Sequence, residues 1–119
     1  GTIGELLIGV VRDPAHGFVL TLGAGGTLTE VLRDSASLLI PASRDAIGAA
    51  LTGLRSTLLL TGYRGKSIAN VTAIIAAVEA VQNYVLAEPA GLTEIEINPL
   101  ICTLTDAIAA DALLRRADP

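Results

Sequence analysis

Thr93-Glu94-Ile95-Glu96-Ile97-Asn98-Pro99-Leu100, with Asp111 downstream of it, is the stretch whose reading decides the fold. Taken as a strand it alternates, with Glu94, Glu96 and Asn98 on one side and Ile95 and Ile97 on the other. Pro99 has no N–H to give a ladder, so it marks a strand end or an edge. Thr103 to Asp106 is polar and turn-prone, and Ala107 to Leu114 then returns antiparallel. If the turn centres between Leu104 and Thr105, Asn98 falls directly opposite Asp111, with Cβ atoms roughly 4.5–5.5 Å apart. Glu96 lies two residues along on the same face. Hard oxygens gathered this way are what Mg²⁺ on a nucleotide phosphate requires: one or two carboxylates, with water and phosphate completing the shell. A solvated face on a half-buried hairpin accounts for the same pattern, because antiparallel sheets commonly keep one side wet. The pattern alone leaves both readings open.

Working back towards the amino terminus, Val71, Ile74, Ile75, Val78, Val81 and Val85 form the stripe of the longest helix, capped by Ser67 or Asn70 and ended before Pro89. Ser43 caps an earlier helix whose face is Ile47, Ala50, Leu51 and Leu54. Ser37 to Ile40 reads as a strand ended by Pro41. Glu5 to Val11 and Phe18 to Leu22 read as a hairpin joined by about six residues, Arg12 to Gly17, whose Asp-Pro and Gly carry the turn chemistry. Between the hairpin and the third strand, Thr27 and Glu30 have capping-box spacing and predict a short helix. Thr57 to Leu60 is short and apolar. The order β-β-α-β-α-α-β-β predicts an α+β fold, a largely antiparallel sheet with helices packed on one face.

Composition bounds the function classes. At 119 residues the chain is one domain or a substantial piece of one. Hydrophobic residues are 51% but aromatics only 3%, with no Trp or Met, so the core must be Leu, Ile, Val and Ala. A net charge of −4 without a basic cluster argues against nucleic acid. Apolar runs are too short or too broken for a membrane span. Cys102 is the single cysteine, which rules out an intrachain disulfide and makes a reducing, cytoplasmic setting the expectation. The chain opens Gly1-Thr2-Ile3-Gly4 with no basic region before Leu6-Leu7-Ile8, which is not a signal peptide. It reads as a fragment of a longer polypeptide, residues 1–119 forming one partial subdomain.

Other residues could carry chemistry. Gly23, Gly25 and Gly26 follow a strand and open the predicted helix, where free N–H groups and a helix end receive anions. The run lacks the Gly-Lys-Ser/Thr of a P-loop and the spacing of a dinucleotide fingerprint, and a tight strand-to-helix turn explains it as well. Arg64 and Lys66, in a glycine-flanked loop, either clamp phosphate or serve solubility. Arg12 and Asp13 are placed to pair within their loop. His16, the only histidine, reads as a solvated turn residue, with no second ligand near it for zinc. Cys102 sits among apolar residues and packs rather than reacts.

Together these motifs resemble a known family. Glu5-Leu6-Leu7-Ile8-Gly9-Val10-Val11-Arg12-Asp13-Pro14, Gly17, Gly23-Ala24-Gly25-Gly26, Glu30-Val31-Leu32-Arg33-Asp34, Leu59-Leu60-Thr61-Gly62-Tyr63-Arg64-Gly65 and Glu94-Ile95-Glu96-Ile97-Asn98-Pro99-Leu100 occur here in family order. They resemble the C-terminal half of the ATP-grasp domain in NDP-forming acyl-CoA synthetases, relatives of the succinyl-CoA synthetase β subunit. The resemblance implies that Asn98 and Asp111 are metal ligands and that Glu96 is a supporting acid. It places Gly25, Gly26 and Arg64 near nucleotide phosphate, and puts no catalytic residue in this fragment. The cofactors it implies are Mg²⁺ and ATP or ADP, with CoA bound mainly elsewhere. The activity it implies is an ADP-forming ligation of a small carboxylic acid to CoA through acyl phosphate and phosphohistidine. The partners are the remaining ATP-grasp half and the CoA-binding and ligase domains. His16 stands where the family usually has an aromatic, and Thr27 and Thr29 are more polar than usual. Two further classes compete with the enzyme: a regulatory ATP-grasp-like module fused to a protein acetyltransferase, and a domain that only pairs subunits.

Overall fold

The computed structural model describes residues 1–25, 34–54 and 69–117. The predicted helix at Thr27, the Thr57–Leu60 segment and the loop holding Arg64 and Lys66 lie outside the described residues, as does Gly26. The elements are β1 (Gly4–Asp13), β2 (Gly17–Ala24), β3 (Ser35–Leu39), α1 (Arg44–Thr52), α2 (Val71–Ala87), β4 (Leu92–Cys102), β5 (Ala107–Ala109) and β6 (Ala112–Arg116). The sheet runs β3-β2-β1-β4-β5, with β6 also paired to β4, and every pairing is antiparallel. This is the α+β architecture expected from the sequence.

One side of the sheet is dry. Leu6, Ile8 and Val10 of β1 and Leu20 and Leu22 of β2 alternate onto it, and α1 and α2 cover them with Ile47, Leu51, Ile74, Val78 and Val85. Each of these side chains is at most 4% exposed, so the burial that drives folding is concentrated in this one layer. Ser43 and Asn70 cap the two helices, accepting from the N–H of Ala46 and Ala73. Of the two cap candidates for the long helix, Asn70 is the one used. Val71 and Ile75 are only half-buried, and the inward stripe also includes Gln82.

Three expectations are corrected. The first hairpin closes on three residues, Pro14, Ala15 and His16, since Asp13 pairs with Gly17. Arg12 does not pair with Asp13. Its guanidinium donates to the carbonyls of Leu92 and Pro89 and lies 4.5 Å from the Phe18 ring centroid, while Asp13 accepts from the N–H groups of Ala15 and His16. Third, the return strand is two strands, β5 and β6, interrupted at Ala110 and Asp111.

Candidate functional site

That interruption lies at the candidate site. Along β4 and β5, Leu100 pairs with Ala109 and Cys102 with Ala107; along β4 and β6, Ile97 pairs with Ala112 and Glu96 with Leu113. The register is the same on both sides of the break, so Asn98 lies opposite Asp111 as the turn arithmetic requires. The backbones confirm it: the Asn98 N–H donates to the Asp111 carbonyl at 3.1 Å, and the Ala110 N–H to the Pro99 carbonyl at 3.0 Å.

Both strands change phase here. Against β1, Ile8 pairs with Ile97 but Leu6 with Leu100, so Asn98 and Pro99 together oppose Leu7. The extra residue lets Ile95, Ile97, Leu100 and Cys102 all face the helices, which strict alternation forbids. Opposite it, Ala112 and Leu114 line a cavity with Val81 and Tyr84 of α2, and Ala107 packs on the core from the same side, which needs a matching extra residue at Ala110. Pro99 suits a bulge, having no N–H to strand. The result turns Asn98 and Asp111 side by side towards the open face.

Glu96, Asn98 and Asp111 line one cavity of about 250 Å³ on that face, walled by Ala112 and Leu113. Glu96 and Asn98 are half-buried and Asp111 is exposed. Among the described residues no trio of His, Cys, Asp or Glu side chains forms a closed metal cage. The cavity instead offers two carboxylates and an amide, an all-oxygen, incomplete set. It fits Mg²⁺, which holds few protein ligands and keeps water and phosphate, and it suits neither zinc nor copper.

The glycine run reaches the same end of the sheet. Gly23 pairs with Leu7, which in turn faces the Asn98–Pro99 bulge, so Gly23 is two strand spacings, about 10 Å, from Asn98. Gly25 is buried and its N–H donates to the Glu5 carbonyl at 3.1 Å. A Cβ there would fall 2.6 Å from the Leu6 carbonyl oxygen. Close backbone packing therefore requires this glycine, and its N–H is engaged in the sheet.

The groups set aside in the sequence stay apart from the site. His16 is solvated in the turn, its Nδ1 3.2 Å from Asp13. The two backbone N–H groups hold the Asp13 carboxyl below the usual carboxylate range. Cys102 is fully buried, and burial pushes its thiol up to about 11. Gln82 was missed because a lone Gln on an apolar helix carries no signal by itself: its amide accepts from the Ala42 N–H at 2.8 Å and donates to the Ala42 carbonyl at 2.9 Å.

Residues 2–115 match the ATP-grasp domain family. The chain belongs to that family. Over 108 residues this ATP-grasp chain is 30% identical to the β subunit of acetate–CoA ligase (ADP-forming) I of Pyrococcus furiosus, a match covering 91% of the chain and 46% of the relative. An ADP-forming acetate–CoA ligase of Archaeoglobus fulgidus is 31% identical over 96 residues, or 81% of the chain and 14% of the relative. Among solved structures, acetyl-coenzyme A synthetase 1 of Ca. Korarchaeum cryptofilum superposes with a TM-score of 0.88 at 28% identity, covering 96% of this chain and 53% of that one. That structure holds coenzyme A and Mg-AMPPCP, with a phosphohistidine segment pointing towards the nucleotide site. The ATP-grasp chain thus spans about half the length of the Pyrococcus and Korarchaeum chains. No helix among its described residues is long and apolar enough to cross a membrane.

Proposed function

We propose that this chain supplies the Mg-nucleotide phosphate site of an ADP-forming acyl-CoA synthetase. The observation that carries it is the opposed Asn98–Asp111 pair sharing a cavity with Glu96, in an ATP-grasp chain whose relatives are named as ADP-forming ligases. The regulatory alternative finds no support in those names.

The reaction joins a small carboxylic acid to CoA while ATP becomes ADP and phosphate, through acyl phosphate and phosphohistidine. The remaining ATP-grasp half and the CoA-binding and ligase domains, in the same polypeptide or a partner subunit, complete the machinery. Asn98 Oδ1 and the Asp111 carboxylate would hold the cation, with Glu96 the supporting acid in the same cavity. Bound there, Mg²⁺ would neutralise phosphate oxygens and fix their positions, where most of the catalysis of phosphoryl transfer lies. The bulge aims Asn98, and the bond from the Asn98 N–H to the Asp111 carbonyl sets Asp111 beside it. Gly26 and Arg64 are assigned to the phosphates on the strength of the family motif, and Gly25 to holding the strand beneath them. The phosphohistidine is assigned to the remaining domains of the parent.

The test uses the full-length parent with any partner subunit. Release of ADP, AMP and phosphate from Mg-ATP is followed with and without CoA across a panel of carboxylic acids. ADP and phosphate should appear only with CoA and an acid together. Asp111→Ala should weaken Mg²⁺ by more than about tenfold, since losing even outer-shell partners costs 10- to 100-fold. CoA-independent turnover, or an unchanged Asp111→Ala enzyme, would overturn the assignment.

A further inference from the structure

The open face of β4 and β6 is a ladder of three rungs. Asn98 opposes Asp111, Glu96 opposes Leu113, and Glu94 opposes Arg115. At about 3.3–3.4 Å per residue, Arg115 lies two rungs, about 13 Å along the strand, from Asp111. The long guanidinium arm can close much of that distance. Glu94, Glu96 and Asp111 give this face three carboxylates against one arginine.

The other described arginines are engaged elsewhere. Arg12 donates to the carbonyls of Pro89 and Leu92. Arg44 contacts Glu79 at 2.7 Å on the helix layer. Arg116 donates to the carbonyls of Glu88 and Ala90 and to the Tyr84 hydroxyl, on the helix side. Arg115 is held differently. Its side chain is 65% exposed, and its Nε is 3.9 Å from Glu94 Oε2. That is well beyond the 2.7–2.9 Å of a charged hydrogen bond, and exposed pairs of this kind contribute little. Arg115 is therefore a cation on the same face as the metal ligands, in line with them along one strand, with most of its donors open to an incoming anion.

We propose that Arg115 binds the nucleotide: it leaves Glu94 and takes phosphate oxygens that lie away from the metal, so that the polyphosphate runs along the β4–β6 ladder with Leu113 beneath it. This rests on the Mg-nucleotide reading of the cavity and adds a direction to it. A planar guanidinium suits the role, since it can grip two phosphate oxygens at once where an ammonium acts as a point charge.

The experiment compares the full-length parent with its Arg115→Ala, Arg115→Lys and Glu94→Gln variants. Three quantities are measured: Mg-ADP binding by calorimetry, Mn²⁺ binding by electron paramagnetic resonance, and the KM values for nucleotide, acid and CoA. Arg115→Ala should weaken Mg-ADP and raise its KM by about ten- to hundredfold, the range for a lost hydrogen bond to a charged group. Mn²⁺ binding and the KM values for acid and CoA should stay unchanged, and Arg115→Lys should recover part of the loss. Glu94→Gln removes the same ion pair but leaves the cation, so it should bind Mg-ADP at least as tightly as wild type. If Glu94→Gln reproduces the Arg115→Ala defect, or if Arg115→Ala leaves Mg-ADP within twofold, the proposal is overturned while the metal site stands. A wild-type protein with no Mg-dependent nucleotide binding overturns both.

Discussion

Gly25 shows how one residue can be read two ways. In the sequence it belongs to a glycine run that suits an anion, whereas in the structure its missing Cβ makes room for the backbone of Leu6. Gly25→Ala drives a methyl group into a carbonyl oxygen that the β1–β2 ladder cannot move. It should destabilise the chain by about 1–3 kcal/mol, the usual range for overpacking, read as a lower urea midpoint at constant slope. The steric cause was not legible, because which backbone crosses Gly25 depends on the Leu6–Ala24 register, which residue types do not reveal. Arg12 hid its role in the same way. Its partners lie at Pro89 and Leu92, far off in sequence, whereas the neighbouring Asp13 looked like the obvious mate.

At the level of elements, β4 was the most legible part of the chain and also where legibility stopped. Alternation from Glu94 to Asn98 and the turn at Leu104–Thr105 were enough to set Asn98 against Asp111. The phase change at Pro99 was not foreseen, although Leu100 and Cys102 break the alternation and could have signalled it. The helices were legible from their caps and stripes, except for Gln82. That side chain pairs with both backbone groups of Ala42 and so ties the segment before α1 to α2. Gln82→Ala leaves both groups without their partner and should lower stability by about 1–3 kcal/mol. Chemical denaturation of this chain measures it directly, and a loss below a few tenths would show that water replaces the amide without cost.

On the scale of the whole molecule, the sheet divides labour between its faces. The helix side holds the core, including Cys102; the other side holds the polar ladder. A thiol whose titration is raised by burial remains protonated in the native state at pH values where the unfolded chain already ionises. The stabilisation is complete below about pH 9 and is lost as pH rises towards 11, amounting to about 2–3 kcal/mol across that window. Unfolding measured between pH 8 and 11 should therefore show the gap between wild type and Cys102→Ala narrowing by that amount. A pH-independent gap would mean the thiol ionises in place. The helix side also has a second, apolar cavity of about 210 Å³ between α2 and β6, lined by Val81, Tyr84, Ile95, Ile97, Leu113 and Leu114. Ala112 and Leu113 line both this cavity and the polar one.

The matched extra residues at Pro99 and Ala110 constrain how this hairpin can vary in length. Losing either one alone would put the pairings beyond the break a residue out of register with those before it, setting inward residues of one strand against outward residues of the other. Losing both would restore simple alternation and leave Asn98 facing Asp111, on a straighter ribbon with a differently shaped cavity. Insertions and deletions at this level are thus tolerable only in twos, one on each strand, and the bend they produce can be tuned without disturbing the pairing that carries it.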